Sequence, residues 1–112
     1  MNYSRPTKQV IVKLQVEGIH NWYDCDIEEV MFLKHPHRHM FHIELAKSVE
    51  DSNREIEIIM LKRHIKDYLG KEPVMFGSKS CEMIGEELLK DFEADYVIVL
   101  EDGENGAKIS KV

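Results

Sequence analysis

A two-residue alternation of apolar and polar side chains runs from Val10 to Glu17 and returns from His37 to Leu45, which commits the chain to a fold built on a half-buried sheet. Side chains alternate faces along a strand, so Val10, Val12, Leu14 and Val16 share one face while Lys13, Gln15 and Glu17 take the other. Continuing the count places His20 on the apolar parity. In the second run His37 and His39 share their face with Phe41, Ile43 and Leu45, and Met40, His42 and Glu44 point away. If the two strands pair, three imidazoles face one interior, where they can share a metal ion. A bulge at Gly18 would turn His20 to the other side.

The second strand is expected from His37 to Val49, followed by a turn at Glu50-Asp51-Ser52-Asn53. Residues 21 to 36 join the strands and carry Trp22, Tyr23, Cys25 and the acidic set Asp24, Asp26, Glu28 and Glu29. Within them, Val30-Met31-Phe32-Leu33 reads as a short strand or a plug. Glu55-Ile56-Glu57-Ile58 alternates like a strand, although Ser52 and Glu55 also have the spacing of a capping box. A short extended piece is expected there, then a helix from about Ile59 to Leu69, ended by Gly70. Residues 71 to 77 read as a connection. Ser78 or Ser80 then caps a second helix, whose apolar stripe is Cys81, Ile84, Leu88, Leu89 and Phe92. Tyr96 to Glu101 is apolar on both parities, which predicts a strand covered on both faces. Asp102-Gly103-Glu104-Asn105-Gly106 supplies a hairpin turn into a last strand, Ala107 to Val112. The expected order is ββααββ.

With 112 residues the chain fits one domain with a modest core, which self-association would enlarge. A net charge of −6, with Lys62, Arg63 and Lys66 as the densest basic group, argues against nucleic acid as a partner. No stretch approaches the roughly 20 apolar residues of a membrane span, and Met1 to Pro6 has no apolar core of an export signal. A cytoplasmic location and no membrane partner are expected, with Cys25 and Cys81 as free thiols.

A histidine ending the first strand and a His-x-His pair opening the second, His20 and His37-Arg38-His39-Met40-Phe41, resemble the 6-pyruvoyl-tetrahydropterin synthase and 6-carboxytetrahydropterin synthase family. Its pattern is a lone His followed by His-Gly-His-Asn-Tyr. Glu57-Ile58-Ile59-Met60-Leu61-Lys62 is similar to the family's Asp-Phe-x-x-Leu-Lys. Ser80-Cys81-Glu82-Met83 is similar to its Thr-x-Glu-Asn, and Glu101-Asp102 to its Glu-Thr. The likeness covers nearly the whole chain, though each motif by itself is degenerate. It implies a single T-fold (tunnelling fold) domain over residues 1–112, an α+β protein with an antiparallel sheet and two helices packed on one face. It further implies zinc on His20, His37 and His39, and a pterin or purine-derived ligand anchored by Glu101, with Glu82 near it. A homo-oligomer, hexamer or tetramer, and lyase-type chemistry on the ligand's side chain also follow from the resemblance.

The chain departs from the family where proton transfer is performed. Leu33 stands where the family has its cysteine, four residues before the His-x-His pair, and Gly70-Lys71-Glu72-Pro73 stands where the family carries Asp-His. Cys25, in the same connection, is the remaining candidate nucleophile, and His64 or His42 are the candidate replacements for the histidine. A second reading is therefore a non-catalytic T-fold binding or assembly module. A variant ligand set is a loose histidine-rich metal-binding tract of His35, His37, His39 and His42.

Overall fold

The computed structural model describes residues 6–112, so the amino-terminal stretch considered for an export signal lies outside the described residues except for Pro6. Strands β1 (Lys8–His20), β2 (His37–Val49), β3 (Val74–Gly77), β4 (Tyr96–Glu101) and β5 (Asn105–Ser110) form one sheet in the order β3-β1-β2-β4-β5. Neighbours are antiparallel except β3, which runs parallel to β1. Helix α1 (Ile58–Leu69) precedes β3 and helix α2 (Cys81–Asp91) follows it. The fold is α+β as expected, but β3 interrupts the order ββααββ. A 3-10 helix over Glu28–Lys34 takes the place of the short strand or plug expected at Val30 to Leu33.

The alternation in the sequence dictates which face is covered. Val12, Leu14 and Val16 of β1, Phe41, Ile43 and Leu45 of β2, and Val97 and Val99 of β4 are buried together with Leu61 and Ile65 of α1 and Ile84 and Leu88 of α2. Both helices therefore pack on one face. Ser80 caps α2 by accepting from the Met83 N–H. At α1 it is the Glu57 carboxylate that accepts from the Ile59 and Met60 N–H groups, so the Ser52–Glu55 box is not used. Glu55 instead accepts from the backbone of Glu50 and Asp51; residues 52–54 form the expected turn, and Glu55 and Ile56 are bends where the short extended piece was expected.

The opposite face of the sheet is open. Ile98 and Leu100 of β4 are only half-buried, against the expectation that this strand is covered twice, and they line a groove of about 490 Å³ with Lys13, Gln15, His42 and Glu44. The last strand begins two residues before its expected start because the β4–β5 turn is tight. Asp102 and Gly103 both have positive φ (55° and 73°), as a type I′ turn requires, and the Glu104 N–H closes it on the Glu101 carbonyl. None of the helices among the described residues is long and apolar enough to cross a membrane.

Candidate metal centre

The register of β1 and β2 runs unbroken from Lys8 opposite Val49 to His20 opposite His37, with Gly18 opposite His39. Gly18 causes no bulge between these strands; the one irregularity, between Ile19 and His20, lies in the pairing with β3. His20, His37 and His39 therefore share a face, with ring centroids 4.6 to 5.4 Å apart. Beneath them Phe41 presents its ring edge-on to His20 at 5.1 Å and to Phe76 of β3 at 4.8 Å. A side chain at Gly18 would meet both phenyl rings, its Cβ lying 2.5 Å from Phe76 and 2.8 Å from Phe41. The bare backbone lets the two rings close as an apolar floor under the imidazoles.

Each imidazole is oriented through Nδ1. His20 Nδ1 lies 2.9 Å from the Lys79 carbonyl oxygen, His37 Nδ1 2.8 Å from the His35 carbonyl oxygen, and His39 Nδ1 2.7 Å from Asp102 Oδ2. A carbonyl and a carboxylate only accept, so Nδ1 carries a proton in all three rings, which leaves Nε2 as the nitrogen free to ligate a metal. An acceptor behind each ligating imidazole fixes its tautomer and its aim. One ligand atom from each of the three histidines can be chosen so that all lie within 4.8 Å of one another, a group that could hold a metal ion.

His20 supplies the test of fit. Its side chain is about nine-tenths buried, and its Nε2 is the one buried side-chain nitrogen or oxygen without a hydrogen-bond partner among the described residues. Glu101 Oε2 lies 3.0 Å away but out of hydrogen-bond alignment. An unpaired buried nitrogen aimed into a cluster of imidazoles is the expected signature of a missing ligand. The histidine set thus fits a metal on the chemistry of its donors.

The other residues singled out from the sequence divide. Glu101, at the end of β4, stands against the histidines, with Oε1 3.6 Å from His39 Nε2. Glu82, in the first turn of α2, borders a groove of about 290 Å³ lined also by His20, Asn21, Trp22, Ser80 and Met83. Cys25 is buried with its thiol turned toward the carbonyls of Ile27 and Val30 in its own connection, at 3.8 and 3.6 Å, and is outside the histidine cluster. His35 contributes only its backbone, His64 is exposed on α1, and His42 lines the groove on the other face of the sheet. The four-histidine tract is therefore not assembled. Cys81 donates to Glu101 Oε2 at 3.8 Å, and burial, reinforced by the Glu101 and Glu82 charges, pushes its thiol up to about 12.

Sequence reasoning missed Asp102 as a working residue. Its Oδ1 accepts from the Met40 N–H at 3.0 Å while Oδ2 takes the His39 Nδ1–H, and these hydrogen bonds, the Met40 one foremost, hold its carboxyl below the usual range. The signal was present in part. An Asp-Gly turn after Glu101, paired opposite Phe41, brings a carboxylate beside residues 39 and 40. The Lys79 carbonyl carried no such signal, because it depends on the pairing of β3.

Fold and site together define an α+β protein with a three-histidine cluster able to hold a metal ion. No family description matches the chain, and no curated protein does.

Proposed function

We propose that the protein binds zinc on His20, His37 and His39 and acts on a pterin or purine-derived small molecule, as a T-fold protein similar to the 6-pyruvoyl- and 6-carboxy-tetrahydropterin synthases. The observation that carries the metal is the gathering of one ligand nitrogen from each of three histidines within 4.8 Å of one another, beside a buried and unpartnered His20 Nε2. Imidazole nitrogen donors suit zinc among the first-row metals. The pterin-like substrate class rests on the sequence resemblance. The antiparallel run β1-β2-β4-β5, with both helices on one face, supports the T-fold reading, and β3 is then an addition at the outer edge of β1.

Zinc, when bound, supplies a Lewis acid that polarises a carbonyl or hydroxyl on the substrate's side chain. The chain's own contribution is positional. Lys79, His35 and Asp102 aim the imidazoles, and Phe41 with Phe76 keeps water from one side of them. The groove beside His20 offers the indole of Trp22 as an apolar wall and the Glu82 carboxylate as an acceptor for ring N–H groups. Purified protein should contain about one zinc per chain, lost in His37→Ala and in His39→Ala. Protein that is metal-free and stays so after zinc is added would refute the reading.

A second reading, a binding module without turnover, is favoured by the orientation of Cys25, whose thiol faces its own loop. Zinc-loaded protein that binds a pterin and fails to convert dihydroneopterin triphosphate would support it. Turnover would remove it.

A further inference from the structure

We propose that Glu101 is the fourth protein ligand of the metal, so that the centre is His20, His37, His39 and Glu101. The inference rests on the metal reading above but departs from the sequence resemblance, which gives Glu101 to the ring of the organic ligand.

Nδ1 of each histidine is committed to an acceptor, which leaves Nε2 as the ligating nitrogen of each ring. Into the cluster Glu101 brings both carboxylate oxygens, Oε2 at 3.0 Å from His20 Nε2 and Oε1 at 3.6 Å from His39 Nε2. His20 Nε2 has no aligned hydrogen-bond partner there, and a cation equidistant from the nitrogen and the carboxylate oxygen satisfies both. Around a tetrahedral zinc with bonds of about 2.0–2.1 Å, adjacent donor atoms are about 3.3–3.4 Å apart. The two nitrogen–oxygen separations bracket that value.

The surroundings of Glu101 agree with this role. The carboxylate is brought to the cluster by the last residue of β4, whose partner across the sheet is Phe41 on β2, two residues after His39. Cys81 donates to Oε2 from the buried side, which holds the carboxylate in place as an outer partner holds a ligand. With three neutral imidazoles and one carboxylate the centre carries one negative protein charge against a divalent ion.

Titration of the purified full chain with cobalt(II), and with zinc in competition, tests the assignment. Wild-type protein should bind one cobalt ion with the intense visible absorption of a four-coordinate site. Glu101→Gln and Glu101→Ala should still bind one ion, with affinity reduced about tenfold or more and a shifted absorption band, while Glu104→Gln, in the neighbouring turn, should match wild type. Far-UV circular dichroism identifies a Glu101 variant that has lost its fold, and the isosteric Gln variant guards against that loss. Unchanged affinity and spectrum in both folded Glu101 variants would overturn the fourth ligand and leave the three-histidine site standing. Wild-type protein without any metal affinity would overturn both.

Discussion

Asp95 and His20 are the buried polar side chains of the described residues, and they sit at opposite ends of the same strands. Asp95, just before β4, accepts from Gln9 of β1 at 2.7 Å, from the Ser48 hydroxyl of β2, and from Lys111 at 2.7 Å. Its backbone N–H and carbonyl are used as well, by Ala46 and Lys111. His20 has one nitrogen satisfied and the other empty. Both clusters tie β1, β2 and β4 together, yet only the first is complete. A complete buried cluster serves the fold alone, whereas an incomplete one implies something that arrives later.

Zinc should act on the His20 cluster and leave the Asp95 cluster untouched. At a free zinc concentration about 1,000 times Kd, wild-type protein should gain about 4 kcal/mol of stability, and His20→Ala should gain almost none, as read by thermal melts with and without chelator. Equal melts for the two proteins would mean that the empty nitrogen is not a ligand.

At the other end, Asp95→Ala should cost about 1.5–3 kcal/mol in denaturant unfolding, because Gln9 and Ser48 lose a charged acceptor, and should leave metal affinity unchanged. Hydrogen bonds from Lys111 and Ser48 lower the Asp95 carboxyl to about 2. A carboxyl with a depressed folded pKa stabilises at pH values above its unfolded pKa, about 4, and that contribution is lost as the pH falls toward 2. The acid-unfolding profile of wild type should accordingly show a loss between about pH 4 and pH 2 that is diminished in Asp95→Ala.

Asp102→Asn sharpens the contrast on the metal side. The amide can still accept one hydrogen bond, but the charge behind His39 is gone, so metal should bind about tenfold more weakly, or about 1.4 kcal/mol, with little change in the unfolding of metal-free protein. Cys25→Ala should have the smallest effect, about 1 kcal/mol on stability and none on metal affinity, since the thiol faces only Ile27 and Val30. A tenfold loss of metal in Cys25→Ala would return that residue to the site.

What the sequence made readable was whatever period two records. His37–Val49 and Tyr96–Glu101 have the bounds that alternation and the turn residues suggest, and the parity of His20, His37 and His39 carried directly into the cluster. Four-residue pieces carry too little pattern. Val74–Gly77 follows Pro73, ends on a positive-φ glycine and reads as a connection, and its strand character comes from pairing with the end of β1. Val30 to Leu33 is an apolar run with no period, so its helical turn was not distinguishable from a strand. The Ser52–Glu55 box, an alternative start for α1, is not used because Glu55 finds nearer donors in the preceding turn. Asp102 and the Lys79 carbonyl reach the histidines through register, a relation between distant segments that no local pattern contains.

The proposed donors are separated by much of the chain. His37 and His39 are neighbours on one strand, His20 joins them only when β1 and β2 pair across the connection of residues 21 to 36, and Glu101 follows only when β4 has docked on β2. Closing such long loops comes late relative to local structure. A chain still emerging from synthesis could thus offer a passing ion no more than the local histidine pair, a loose two-point grip open to exchange. Capture of the ion at the complete centre would then mark the end of folding, and the loaded fraction of a preparation would count the molecules whose last strands have come home.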